Sequence, residues 1–279
     1  MSWDGILFVT GATVLLLIFA RTINQLIFHV SLTDVLIKRD NAAMGIQLSG
    51  YLFGVMIIIA TVINGPIHGD FLTEVLWVAG FGIAGNIFLA VVAIGGLRLF
   101  LMKDCRKYII EGNTAAGIAA AGSFVATSLV LTGTMIGEGT IVSAIVFFLL
   151  GQCSLLFITY IFRLLTTYDD SIEIRDGNIA AAVSYIGLMI AIGIIVRHAL
   201  IGDLVDYKTS IIAFGNALIV VIILYPVRQW LVQGIVLGGG FKLYGGRLDT
   251  EIQHDRNISA GVLEASIYIA TALLATNML

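Results

Sequence analysis

Polar residues reach this chain in separated clusters, and long apolar stretches lie between them. Eight such runs fall near residues 5–28, 42–63, 74–101, 114–136, 140–165, 179–201, 210–237 and 258–277. A helix crossing a bilayer needs about 20 mostly apolar residues, at ~1.5 Å each. Each run meets that requirement, so the pattern predicts an all-α integral membrane protein with eight transmembrane helices. The longest polar connector, Gly238 to Asn257, is too short for a soluble domain. The opening stretch MSWDGILFVTGATVLLLIFA lacks the basic region of a secretory leader. It is expected to be the first membrane helix rather than a cleaved peptide.

The cations divide unevenly among the connectors and helix ends. Thirteen of the fifteen Lys and Arg residues fall on the 1–2, 3–4, 5–6 and 7–8 side, and two, Arg197 and Lys208, on the other. Short cytoplasmic loops carry the excess of Lys and Arg in membrane proteins. The expected topology is therefore multi-pass, with both termini on the non-cytoplasmic side.

A motif recurs where the even-numbered runs begin: RDNAAMG from Arg39, EGNTAAG from Glu111, DGNIAAA from Asp176 and DRNISAG from Asp255. Read as Asp or Asn, any residue, Ala or Ser, then Ala, it starts at Asp40, Asn113, Asn178 and Asn257. The odd-numbered runs echo one another as well. Gly11-Ala12, Gly85-Asn86, Gly151-Gln152 and Gly215-Asn216 are each followed toward the cytoplasmic end by an arginine: Arg21, Arg98, Arg163 and Arg228. The expected unit is a two-helix hairpin used four times. Each unit crosses twice, so all four share one orientation, with pseudo-symmetry about the membrane normal. Grouped in pairs, they give repeats over residues 1–138 and 139–279.

The stretch GGLRLFLMKDCRKYIIEGNTAAG, Gly95 to Gly117, resembles a bacterial membrane family known as domain of unknown function 350. Members have four predicted helices, with Asn-x-Ala-Ala opening the second and fourth. The chain resembles two such domains in tandem. The first half fits more closely than the second, where NIAAA and NISAG replace NTAAG. The resemblance implies a bacterial plasma (inner) membrane protein, and it brings no catalytic residue with it.

Composition narrows the chemistry. The chain is 59% hydrophobic and 12% charged, against about 25% charge in a soluble domain. Its net charge of −3 gives no basic bias toward nucleic acid. Cys105 falls in a polar connector and Cys153 inside an apolar run, so no disulfide is expected between them. His29, His68, His198 and His254 are scattered without ligand spacing. Neither metal nor cofactor is expected. The glycine-rich GGGFKLYGGR from Gly238 has Gly246-Arg247 where a phosphate loop needs Lys-Ser or Lys-Thr. It reads as a flexible loop.

Several residues invite a functional reading beside a structural one. Asp40, Asn113, Asn178 and Asn257 suit helix N-caps, and small residues four apart after them suit close helix contact: Gly45 and Ser49, Gly117 and Ala121, Gly261 and Ala265. The alternative is an anion held where four helix N-termini converge. Asn86, Gln152 and Asn216 form a polar layer near mid-helix, either bonding helices together or lining a path. Glu264 lies seven residues beyond Asn257, roughly 10 Å into the last helix. Gln47, Ala120 and Tyr185 are its counterparts in that alignment. An intramembrane carboxylate is costly and by default a functional candidate. The four arginines suit snorkelling anchors, Asp169, Asp170, Glu173 and Asp176 a solvated acidic loop, and Pro226 a kink in helix seven.

Two functions compete. One is a channel or transporter for a small solute or ion, using Glu264, Asn86, Gln152, Asn216, Gln47 and Tyr185. The other is a non-transporting scaffold, or a partner for another membrane protein, with envelope stress as a setting. An enzyme is not expected, because no nucleophile–base set stands in the sequence. The lipid bilayer is the expected environment, and a homo-oligomer or membrane partner the expected company.

Overall fold

A computed structural model describes residues 3–65, 71–137 and 139–278. His68 and the boundary at residue 138 lie outside the described residues. The described chain is all-helical, and eight helices are long and apolar enough to cross a membrane. They are α1 (Trp3–Phe28), α2 (Ala42–Ile63), α3 (Phe71–Phe100), α5 (Thr114–Gly133), α6 (Ile141–Arg163), α8 (Ile179–Leu200), a composite span over Tyr207–Val236, and α12 (Ile258–Thr276). The composite span comprises α9 (Tyr207–Leu218), a 3₁₀ stretch Ile219–Ile223, α10 (Leu224–Pro226) and a π-helical stretch Val227–Val236. Large apolar side chains such as Leu15, Phe157 and Ile222 are exposed on its surface. Only a lipid solvent makes that favourable. This is a multi-pass membrane protein.

Short helices precede the even-numbered spans: a π turn Asp34–Lys38, α4 (Cys105–Ile110), α7 (Asp170–Arg175) and α11 (Arg247–Gln253). Hydropathy alone did not show them, because each buries only one to three side chains, among them Val35, Ile109, Ile174 and Ile252. The connector from Gly238, expected to be a flexible loop, contains one of them, α11.

The even-numbered spans α2, α5, α8 and α12 form a row in chain order, each packed along the next. Glycines set the spacing. A Cβ on Gly50 would strike Ala121, one on Gly122 would strike Ile186, and one on Gly187 would strike Ala265. Nearer the helix starts, Gly117 abuts the backbone of Ala43, and Gly261 that of Ala180. Both sets of contacts advance together along each helix pair, so neighbours run parallel. The small-residue reading thus holds for Gly117, Ala121, Gly261 and Ala265. Gly45 and Ser49 pack against no other span in this way. Gly45 would meet only Leu36, and Ser49 bonds back to the Gly45 carbonyl.

The odd-numbered spans form a second layer. α3 packs on α2 and α5, α6 on α5 and α8, and the composite span on α8 and α12. α1 has α2 alone from the row.

Helix starts explain the recurring motif and correct one member of it. Asn41, not Asp40, caps α2, accepting from the Met44 amide at 2.9 Å. Asn113 accepts from Ala116, Asn178 from Ala181, and Asn257 from Ser259 and Ala260. The residue before each cap is left-handed: Asp40 (φ 47°), Gly112 (92°), Gly177 (82°) and Arg256 (49°). The chain must reverse there between short helix and span. Asp40 occupies that hinge, which a short polar side chain tolerates, and so cannot be the cap. The shift also moves the counterpart of Glu264 in α2 from Gln47 to Leu48.

Pro226 falls where expected, yet regular α-helix ends earlier, at Leu218. Proline has no N–H to give to residue i−4, and its ring crowds that turn. The chain tightens to 3₁₀ before it and widens to π after it. The widened stretch buries Arg228, Gln229, Val232 and Gln233.

Candidate functional site

Three of the four cap asparagines, Asn41, Asn113 and Asn178, do two jobs. In each, the side-chain oxygen receives amides of its own helix, and the side-chain amide reaches the short helix of the following unit. Asn41 Nδ2 donates to the carbonyls of Ile109 and Ile110 at 3.0 Å, and Asn113 Nδ2 to those of Ile174 and Arg175. Asn178 Nδ2 donates to the Ile252 carbonyl at 2.8 Å and to Glu173. A helix C-terminus leaves carbonyls unpaired, so each clasp satisfies both partners. These bonds account for the asparagines structurally.

Two of the four arginines behave differently from snorkelling anchors. Each of the four lies opposite the residue eight positions before the cap asparagine of its unit. Arg21 donates to Thr33 at 3.4 Å, and Arg98 acts electrostatically on Cys105. Arg163 pairs with Asp170, and Arg228 with Asp249. Arg21 and Arg98 are exposed, as anchors should be. Arg163 and Arg228 are buried, because in the last two units the opposing residue is an acid. Asp170 is therefore not part of a solvated loop. Burial pushes its carboxyl up from the usual range, and the Arg163 charge opposes that shift.

Glu264 joins the two pairs. Arg163 Nε donates to Asp170 Oδ2 at 2.5 Å, and its Nη1 donates to Ser184 Oγ at 3.0 Å. Ser184 Oγ donates to Glu264 Oε2 at 2.6 Å. The other oxygen, Oε1, receives Arg228 Nε at 2.5 Å. Arg228 Nη2 reaches Asp249 Oδ1, and Asp249 Oδ2 receives the backbone and hydroxyl of Thr167 at 3.1 and 3.0 Å. Tyr168 hydroxyl receives Arg163 Nη2 at 2.8 Å. One hydrogen-bonded chain thus runs from Asp170 to Thr167 through side chains on α6, α7, α8, the π stretch, α11 and α12.

All five charged members are less than a tenth exposed, and Glu264 is 0% exposed. Three carboxylates stand against two guanidiniums, one negative charge in excess when all are ionised. Isolated charges at such depth would be expensive, and mutual pairing is what makes them tolerable. Next to them, on the π stretch, Arg228 Nη1 and both heteroatoms of the buried Gln233 amide have no hydrogen-bond partner among the described residues. Tyr268 is buried and lies within electrostatic reach of Glu264 and Arg228. Tyr185 is also buried and feels Asp170 and Arg163.

The amide layer does not assemble. Asn86 accepts from the Tyr51 hydroxyl and donates to the Leu16 carbonyl. Gln152 donates to Thr127. Gln47 accepts from Asn24 at 3.2 Å. These are separate helix-to-helix bonds, and none links one layer member to another. Asn216 is exposed, since Phe214 is the buried residue there and two positions along a helix turn the side chain by about 200°. A cavity of about 460 Å³ between α3, α5, α6 and α8, reaching Phe88, Thr134 and Ser143, is lined by none of Asn86, Gln152, Asn216 and Glu264.

Cys105 is buried and Cys153 exposed, and both are free thiols, as expected. Among the described residues no group of three or more His, Cys, Asp or Glu is placed to hold a metal ion.

Asp249, Ser184 and Tyr168 were not singled out from the sequence. A signal existed: Asp170 and Asp249 each precede a cap asparagine by eight residues. No curated protein and no solved structure matches the chain. The family described as Domain of Unknown Function (DUF350) matches it over residues 2–135, 86–163 and 135–279. Those overlapping segments span the chain, as tandem copies of one domain require, and the protein belongs to the DUF350 family.

Proposed function

We propose that the protein is a transporter or channel for a small ion, in which the Arg163–Asp170–Ser184–Glu264–Arg228–Asp249 chain is the ion-handling site. The observation that carries this reading is the buried excess of carboxylate, with Glu264 inside a span and Asp170 and Asp249 on the short helices beside it. With one negative charge more than its arginines balance, the cluster can take up one proton, and Glu264 is its centre. The unpartnered Arg228 Nη1 and Gln233 amide supply further polar groups beside it. Buried intramembrane ionisable groups of this kind serve as relays in pumps and transporters. The proposal includes no catalytic step.

The proposed setting is the bacterial plasma membrane, with the short helices and the cluster on the cytoplasmic side and both termini opposite. The Lys and Arg imbalance supports that orientation. We also read the chain as four parallel hairpins related about the membrane normal. Support comes from the equivalent caps, clasps and Gly contacts, and from the family match at residues 86–163, which straddles the boundary between the halves. The paired division at residues 1–138 and 139–279 then sets two units whose arginine faces a neutral residue against two whose arginine faces a buried acid.

A test is flux in proteoliposomes. Purified protein in vesicles with an imposed pH gradient and a potassium diffusion potential should dissipate the gradient, and Glu264→Gln should stop it. The Gln keeps a partner for Ser184 while removing the charge. Flux unchanged by Glu264→Gln sinks the assignment of the site, and no ion flux from folded wild-type protein sinks transport.

A second reading has its own observation. The α2–α5–α8–α12 row is packed backbone to backbone at Gly50, Gly122 and Gly187, which suits a rigid scaffold that docks a membrane partner. A partner that co-purifies from native membranes, together with silent proteoliposomes, favours it.

A further inference from the structure

The row of even-numbered spans follows one rule, and at its two ends the rule is unfulfilled. Within the chain, the glycine nine residues after a cap meets the residue eight after the next cap: Gly50 with Ala121, Gly122 with Ile186, Gly187 with Ala265. The cap amide clasps the following short helix. Each odd-numbered span after the first lies across two successive members of the row.

At the trailing end, α12 offers these features, and no described residue receives them. Ser266 stands nine after Asn257 and is exposed, as is Ser259. Asn257 Nδ2 has no carbonyl partner from another unit and bonds Glu251 of its own short helix instead. Ile258 and Val262 beside it are 47% exposed. At the leading end, α2 shows the complementary face. Ser49, eight after Asn41, is exposed, and Gly45 meets no other span. Ile37, four before Asn41, is 76% exposed, at the position where Ile109 and Ile174 receive a clasp. Among the described residues α1 packs closely on one member of the row, α2, and an apolar groove of about 470 Å³ lies where a second would be. Val14, Leu17 and Ile18 of α1, Leu36 of the π turn, and Leu48 and Leu52 of α2 line it.

We propose that the groove is filled by α12 of a second copy of this chain, so that the protein assembles head to tail in the membrane. The interface continues the contact already made three times within one chain. It places Ser266 against Ser49 of the neighbour, and the Asn257 amide on the Ile37 and Lys38 carbonyls. The contact is heterologous, because the two faces differ, and such an interface closes into a ring or extends as a row. Repeat arrays that end in polar capping units stop growing. The α2 and α12 edges here are apolar and small, which leaves the row open.

Disulfide trapping in native membranes tests the pairing. Two differently tagged full-length chains in a Cys153→Ser background, one with Ser266→Cys and the other with Ser49→Cys, should cross-link on mild oxidation. Either chain alone should not form the bond with itself. Native mass spectrometry from vesicles should show more than one copy, and Ser266→Trp, folded as judged by an unchanged melting temperature, should release single chains. A wild-type monomer in vesicles overturns the proposal. So does a Ser49→Cys chain that cross-links only to itself, which marks a face-to-face pair.

Discussion

Arg228 Nε lies 2.5 Å from Glu264 Oε1, although the two residues are 36 apart and belong to different spans. Neither is exposed by more than 1%, and Arg228 also holds Asp249. Removing Arg228 would leave two buried carboxylates, Asp249 and Glu264, without the cation they share. Breaking a buried pair in this way costs about 3–5 kcal/mol. Arg228→Ala should therefore lower the melting temperature of the detergent-solubilised protein severely, or abolish its recovery. Arg98→Ala, at an exposed site, should change stability by no more than about 0.5 kcal/mol. Equal effects in a thermal-shift series would show that the buried chain is not a structural unit.

The cap assignment separates Asp40 from Asn41. Asn41→Ala should cost about 0.5–2 kcal/mol for the lost cap, and more for the carbonyls of Ile109 and Ile110 left unclasped. Asp40→Gly should be neutral or stabilising, since glycine adopts positive φ freely and Asp40 sits at φ 47°. Comparing the two melting temperatures decides which residue begins α2. A larger loss at Asp40 would restore the alignment read from the motif.

Asn178 and Asn257 make a parallel comparison. Asn178 caps α8 and clasps Ile252 across 74 residues, whereas Asn257 bonds only its own unit. In isolated chains, Asn178→Ala should be the more damaging change. An equal loss at both sites would mean that the clasp adds nothing beyond the cap.

Gly187 lies against the backbone of Ala265, and Gly95 has nothing within 4 Å. Gly187→Val should separate α8 from α12 and cost at least the 1–3 kcal/mol typical of overpacking. Gly95→Ala should be tolerated or mildly stabilising, because alanine is the better helix former. Unfolding in detergent mixtures, followed by loss of far-ultraviolet helicity, would measure both. Tolerance of valine at Gly187 would refute the close contact.

Thiol labelling reads the surroundings of the two cysteines. Burial pushes the Cys105 thiol up, with Arg98 opposing, and the thiolate is the reactive form. Cys153 is exposed on a span that faces lipid. A membrane-impermeant maleimide should label neither in native vesicles at neutral pH, and both after denaturation. Rapid native labelling of Cys153 would put water where this fold puts lipid.

Much of the architecture was legible because its causes are local. Eight runs long enough to span, and caps at Asn113, Asn178 and Asn257, each depend on residues within one or two turns. Asp40 was misassigned because Asp and Asn cap equally well. The backbone sign that tells them apart was spelled out by Gly112 and Gly177 but not by Asp40 and Arg256. Which polar groups meet was a different matter. Asn86, Gln152 and Asn216 share a place in the pattern, yet a fraction of a helical turn sends Asn86 and Gln152 to different neighbours and leaves Asn216 exposed. The sequence by itself determined what must leave water, since transfer free energy adds up residue by residue along a span. Only the tertiary structure decided that Arg163, Asp170, Glu264, Arg228 and Asp249 form one buried chain. A charge in lipid is tolerable only beside its counter-charge, and those partners come together from six separate elements.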